Sequence, residues 1–264
     1  MKKLTLFFLL TCFAINLSTA QDKLYLVFEF MKVDNEQEAD YNETEAFWEK
    51  IHAERAKNGD IIGWDLWSLQ PGGEEQGSQY LTVQLYDDPV KMMRGGSWAQ
   101  LMERAKAAYP KMSEDDLMKK INHSSTTRDL THRVYMEEIA TTKPDFDMPI
   151  GTVASMDLMK AAMGEGGKYE KAEMEVFQPM HQKQVDAGKK GGWSLLKFMS
   201  PVGSDTYASH ITVNMYKDWN QVFSSPWDGG AKMTYGEMQA MEEGIATRDL
   251  KWVYMATLIR KVRK

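Results

Sequence analysis

The sequence predicts an α+β fold made of two tandem ferredoxin-like βαββαβ units. Two observations predict it. A stretch running from a His to a Gly-Trp pair is written twice, "HAERAKNGDIIGW" from His52 and "HQKQVDAGKKGGW" from His181, 129 positions apart. Three more blocks recur in the same order: "FEFMKV" at 28–33 with "MDLMKA" at 156–161, "YLTVQLYDD" at 80–88 with "HITVNMYKD" at 210–218, and "TTRDLTHRVYM" at 126–136 with "ATRDLKWVYM" at 246–255. Blocks recurring in one order mark a chain built from two copies of one unit.

Within the first half, residues 24–33 are β-branched and aromatic, which predicts a strand. Phe47, Trp48, Ile51, His52 and Arg55 recur at helical spacing across 41–57, with Asn58-Gly59 as the stop. Residues 61–69 read as a second strand, "PGGEEQGS" as a turn, and "QYLTVQLY" as a third strand with clean alternation. Residues 88–122 read as mostly helical, broken at Pro110, and 128–139 as a fourth strand. The offset between halves moves from 128 to 130 and then falls to 120, so the first half carries about nine extra residues near 110–118. The second half repeats the βαββαβ order. Residues 141–151, "TTKPDFDMPIG", read as a linker.

A βαββαβ unit has helices on one face of its sheet only. Here Phe28 and Phe30 alternate with Val27, Met31 and Val33, so both faces are apolar and the open one needs a cover. The other half, related by a pseudo-two-fold, supplies it. The duplicated element order and the recurring Gly-Trp and Thr-Arg-Asp-Leu positions resemble the dimeric α/β-barrel superfamily, antibiotic-biosynthesis-monooxygenase-like, over residues 24–140 and 152–264. The resemblance implies two units packed sheet to sheet as a pseudo-dimeric α/β barrel. It also implies a range of activities, from cofactor-free monooxygenases to small-lactone and sugar isomerases and haem-binding enzymes. Haem-degrading members carry an Asn on the first strand, where this chain has Glu29 and Asp157, so no catalytic residue is carried over from them.

Residues 1–20, "MKKLTLFFLLTCFAINLSTA", read as a secretory signal peptide with small residues at its end. The expected domain plan is signal peptide 1–20, first repeat 21–140, linker 141–151 and second repeat 152–264, with a mature periplasmic or secreted protein starting at Gln21. Cys12, in "LLTC", leaves a lipoprotein reading open, although Thr11 directly before it fits that poorly. Cys12 is the only cysteine, so a mature chain has no disulfide, thiol nucleophile or Cys-ligated metal. Removing Lys2 and Lys3 takes the net charge from -6 to -8, which argues against nucleic acid as a partner. The terminal "RKVRK" reads as a solvated end. No run approaches the eighteen apolar residues of a membrane span. A fused pseudo-dimer is expected to act as a single chain.

Three features recur in both halves. His52 and His181 lie on the apolar stripe of the first helix. Glu29 and Asp157 sit mid-strand in the first strand, where a carboxylate is shielded from water. One face of the third strand is polar: Tyr80, Thr82, Gln84 and Tyr86 in one half, His210, Thr212, Asn214 and Tyr216 in the other. These predict a small-molecule pocket between helix and sheet, walled by Trp64 and Trp193. In it a carboxylate beside the imidazole raises the His pKa and serves as an acid/base pair, with His181, His52, Asp157 and Glu29 in catalytic roles. No metal and no cofactor is called for: there is no H-x-x-x-H or H-x-H spacing, and the methionines are scattered.

Three readings stay open. One is a cofactor-free monooxygenase or isomerase acting on a small organic molecule. The second is a non-catalytic exported ligand-binding protein. The third is a structural or interaction protein in which the duplicated His and carboxylates serve the core.

Overall fold

The computed structural model describes residues 23–70, 73–224 and 233–264; the predicted signal peptide lies outside them. The first half runs β1 (Tyr25–Lys32), α1 (Glu38–Lys57), β2 (Gly63–Gln70), β3 (Tyr80–Tyr86), α2 (Pro89–Arg94), α3 (Trp98–Ala108), α4 (Glu114–His123) and β4 (Asp129–Thr141). The second runs β5 (Val153–Ala161), α5 (Gly166–Ala172), a π-helical turn at Glu173–Phe177, α6 (Gln178–Asp186), β6 (Gly192–Ser200), β7 (His210–Tyr216), α7 (Trp219–Ser224), α8 (Tyr235–Ile245) and β8 (Arg248–Arg263). Strand order round the molecule is β1-β3-β2-β8-β5-β7-β6-β4, a closed antiparallel barrel. Each half contributes an arc in the order fourth, first, third, second. The sequence places two sheets face to face. The structure also joins them along both edges, β2 to β8 and β4 to β6, which leaves no strand edge unpaired.

Alternation decides which side chains fill the barrel. Phe28, Phe30, Leu81, Val83 and Met136 point inward and meet Met156, Leu196, Phe198, Ile211 and Leu258 from the other half in one buried cluster. Burial of each such side chain contributes about 1.5–3 kcal/mol. The alternate residues face the helices outside. This is the face that carries Glu29, Thr82, Gln84 and Tyr86, so the polar set looks away from the barrel interior and toward α1.

The twice-written stretch now has a structural cause. Its His lies in the last turns of the helix and stacks on its Trp: ring centroids are 4.9 Å apart for His52 and Trp64, and 5.1 Å for His181 and Trp193. The glycine seven residues on ends each helix in the left-handed region, Gly59 at φ 75 and Gly188 at φ 68, where a side chain costs energy.

The halves differ in their last crossover. That of the first half holds α2, α3 and α4, and its extra residues fall between α3 and the start of α4; the described residues of the second half form α7 and α8. Leu117 of α4 is buried with Phe47 and Ile51 of α1 and Met102 of α3. One expectation is corrected. "RKVRK" is not a solvated end but closes β8, where Arg260 reaches Glu49 at 2.7 Å and Arg263 reaches Asp65 at 2.6 Å. Both acids belong to the first half. No described helix is long and apolar enough to cross a membrane.

Candidate functional site

Between α1 and the outer face of the first-half sheet lies a cavity of about 1000 Å³. Glu29, His52, Trp64, Gln84 and Tyr86, all read from the sequence as site residues, line it together. Trp48 and Glu45 of α1, Leu101 and Arg104 of α3 and Ile121 of α4 close it, so the longer crossover of this half forms one of its walls. Trp48 is pinned to the end of that crossover by its Nε1–H, which donates to Ser124 Oγ at 2.8 Å.

His52 is sandwiched. Trp64 stacks on it at 4.9 Å and Trp48 approaches at 5.8 Å, 28° from coplanar. Its polar partner is a cation rather than the expected carboxylate. Arg55 Nη1 donates to His52 Nδ1 at 3.0 Å and to Gln84 Oε1 at 3.0 Å. Burial first, and then the Arg55 and Arg128 charges, hold the His52 pKa well below the ordinary value. Glu29 pairs instead with Arg133, at 2.6 Å, and accepts from Thr82 Oγ1 at 3.3 Å. The His-carboxylate pair read from the sequence is therefore corrected: one turn along the helix, at i+3, stands a guanidinium that reaches the imidazole before any acid does.

This contact fixes the imidazole tautomer. A guanidinium has only donors, so Nδ1 must accept and the proton of the neutral ring sits on Nε2. Among the described residues Nε2 has no hydrogen-bond partner, and it is not fully buried, so it is open to the cavity that His52 lines. His52 therefore offers an N–H donor. It is neither a general base nor a metal ligand in this state, since both need an unprotonated Nε2. Among the described residues no three His, Cys, Asp or Glu side chains gather as a metal site.

Glu45 was missed by the sequence reading. It is 2 % exposed, lines the cavity, and its Oε1 stands 3.5 Å from Arg128 Nε without a hydrogen bond. Burial pushes its carboxyl up to about 7, against the pull of Arg128. The signal was present: Tyr41 and Glu45 on α1 recur as Tyr169 and Glu173, and Arg128 recurs as Arg248, which donates to Glu173 at 3.2 Å. Tyr80 lies apart from the cavity, packed on Tyr41 at 4.6 Å.

In the second half a lysine takes the place of the guanidinium. Lys190 Nζ donates to His181 Nδ1 at 2.8 Å and to Asn214 Oδ1 at 2.7 Å, and lies over the Tyr216 ring at 5.7 Å. Burial and the Lys190 charge lower the His181 pKa to about 3. Asp157 accepts from Ser155, from Asn214 at 3.0 Å and from Thr212 at 3.3 Å, so it too bonds no imidazole. The position opposite Asp157 on β8 is Val253, whereas Glu29 faces Arg133 on β4, and neutral donors make up for the missing guanidinium. Trp193 is buried under His181. His210 packs edge-on against Tyr169 at 4.8 Å and bonds Ser209 at 2.9 Å.

No family model and no curated relative matches this sequence. Solved structures do. A "putative monooxygenase" from Lactobacillus acidophilus matches with TM-score 0.55 at 10% identity, over 91% of this chain and 96% of that one. A second "putative monooxygenase", from Fusobacterium nucleatum, gives TM-score 0.54 at 11% identity over 92% and 94%. The fold is the dimeric α/β barrel. An anthrone oxidase-like protein shares it at TM-score 0.51 and 11% identity, over 93% and 94%. Within this dimeric α/β barrel the cavity lies outside the strands, under α1, and its histidine, His52, projects from that helix onto the outer face of the sheet rather than into the barrel interior.

Proposed function

We propose that this protein is an exported small-molecule-binding protein of two tandem ferredoxin-like units, 21–140 and 152–264 joined by 141–151, whose ligand occupies the cavity of the first unit. The observation that carries this reading is the open Nε2–H of His52, held in place by Arg55 and flanked by Trp48 and Trp64. Directed donors beside aromatic walls, in a space this large, describe a site for an organic molecule. A filled core has no use for an unpaired imidazole donor.

Cofactor-free oxygenation or isomerisation is the reaction class in this reading, supported by the similarity to proteins described as monooxygenases. In it His52 and Arg55 hold an oxygen of the ligand. Glu45 takes the proton, since a carboxyl near pKa 7 is poised for that at neutral pH. For the second unit the structural reading is favoured, because Lys190 is itself buried and offset by Asp157, whereas Arg55 borders the cavity with no ion pair among the described residues.

Titration with 1-naphthol, read by tryptophan fluorescence, tests the site. Saturable quenching is expected in the wild type and weaker binding in Trp48→Ala. Absence of saturable binding, or binding undiminished in Trp48→Ala, overturns the assignment. Export is tested separately by N-terminal sequencing of protein recovered outside the cytoplasm, with Gln21 as the expected first residue.

A further inference from the structure

The chain has a net charge of -6, yet its cavity is not an acidic place. Several cations line it and most are neutralised there. Arg133 meets Glu29 at 2.6 Å, Arg104 meets Asp60 at 2.8 Å, and Arg128 stands 3.5 Å from Glu45. Arg55 and Arg94 also line the cavity, and neither has an ion pair among the described residues.

Arg55 is the more telling of the two. Its hydrogen bonds go to His52 Nδ1, to Gln84 Oε1 and to the Tyr86 hydroxyl at 3.5 Å. All three acceptors are neutral, so the guanidinium keeps its full charge while half withdrawn from water. Such a charge is costly to hold unless an anion comes to it. The imidazole it grips presents a further donor, Nε2–H, to the same space. In the second half the position answering Arg55 is Gln184, and the Lys190 ammonium is offset by nearby Asp157. The uncompensated positive charge thus belongs to the half with the cavity.

Building on the binding role proposed above, we infer that the ligand is a flat aromatic oxyanion, a carboxylate or phenolate, bound as the anion through Arg55 with Arg94 at the exposed rim. The Trp48–His52–Trp64 stack and the Met31, Met92 and Leu101 side chains receive the apolar body. The guanidinium and the imidazole N–H receive the charge, with the strength of charge-assisted hydrogen bonds.

The test compares two probes of one shape, 1-naphthoate and 1-naphthol, by calorimetric titration at pH 7. Naphthoate is expected to bind about tenfold tighter in the wild type, the scale of one charge-assisted contact. That preference should shrink as salt is added and vanish in Arg55→Met, while naphthol binding persists. Arg94→Ser, at an exposed position, should lower naphthoate affinity and its salt dependence without a change in folding. Naphthol binding as tightly as naphthoate, or a preference that survives Arg55→Met, overturns the anionic assignment and leaves the site standing. Failure of both probes overturns the site and the anion together.

Discussion

Arg55 and Lys190 grip the same nitrogen of equivalent histidines from different parts of the chain. Arg55 lies on α1, three residues past His52, and Lys190 lies in the loop before β6, nine residues past His181. At the matching positions the halves have Gln184 for Arg55 and Ile61 for Lys190. The cation has moved from helix to loop while its contact stayed: in both halves it donates to Nδ1 and to the amide oxygen of the third strand, Gln84 or Asn214. The surroundings differ. Lys190 is buried, whereas Arg55 borders a cavity.

That difference predicts unequal costs for the same substitution. His181→Phe keeps a ring on Trp193 but strands the buried Lys190 with one acceptor, which costs roughly 1–3 kcal/mol. At about 2–4 °C per kcal/mol the midpoint falls by several degrees. His52→Phe leaves Arg55 with Gln84, Tyr86 and cavity water, and is expected to lower the midpoint less. Thermal melts of both variants at pH 7.5 check the order; an equal or reversed ranking rejects it. The His181 cost is also pH-dependent. Its pKa is about 3 when folded against an ordinary 6.5, so the folded chain binds fewer protons between those values. Its stability contribution is full above 6.5 and is lost as pH falls toward 3, so the gap between wild type and His181→Phe should narrow there.

Much of this was legible in the sequence because duplication and alternation are local signals. The period-two pattern of "YLTVQLY" separates Leu81 and Val83, inside the barrel, from Thr82 and Gln84, outside it. The His–Trp stack follows from the repeated spacing. The electrostatics did not follow, because repeated residues have different partners in the two halves. Arg133 faces Glu29 where Val253 faces Asp157, and a single change of that kind redirects every hydrogen bond around it. Glu45 was hidden differently: its helix is not strongly amphipathic, and only its recurrence as Glu173 beside Tyr169 marks it as inward-facing.

Glu45 should make the protein less stable as pH rises through the acid-to-neutral range. Its folded pKa of about 7 exceeds the ordinary 4.5, so the folded state holds the proton longer than the unfolded state. By linkage, stability is greatest below about 4.5 as far as this group is concerned, and declines until about pH 7. The total is on the order of 3 kcal/mol at 1.36 kcal/mol per unit. Glu45→Gln removes the decline. Urea unfolding at pH 5 and pH 8 is expected to show the variant gaining on wild type at the higher pH. A constant difference between the two pH values contradicts the assignment.

Lys190 produces a trend in the alkaline range. Burial lowers its pKa to about 8, with Asp157 opposing, against an ordinary 10.5. Between those values the unfolded chain is the more protonated, so stability attributable to Lys190 rises with pH, by about 1.4 kcal/mol per unit at most. Lys190→Met lacks this gain. The difference between wild type and Lys190→Met, measured by urea unfolding at pH 8, 9 and 10, should therefore move in favour of the wild type. A flat difference means that the ammonium is not desolvated.

The ladder between β2 and β8 carries a bidentate ion pair at one end. Arg263 Nη1 and Nη2 donate to the two Asp65 oxygens at 2.6 and 2.9 Å, and Asp65 is 2 % exposed. This joins the last strand of the second half to the second strand of the first, beside Gly63, where an added Cβ would meet the Val262 carbonyl at 2.9 Å. The other seam has Ser194 at the position answering Asp65, so it has no such pair to share the load. Asp65→Asn keeps the shape and one acceptor but strands part of the guanidinium charge. Arg263 is 31 % exposed on its side chain, so water recovers some of the loss. The expected cost is about 1–3 kcal/mol, below the 3–5 kcal/mol of a fully buried broken pair. It should change little with salt, because the pair is largely shielded. Hydrogen exchange locates the effect: protection should fall first in β2 and the end of β8, while β4 and β6 keep theirs. Uniform loss round the barrel would mean that both seams open together and that this pair holds no one edge in particular.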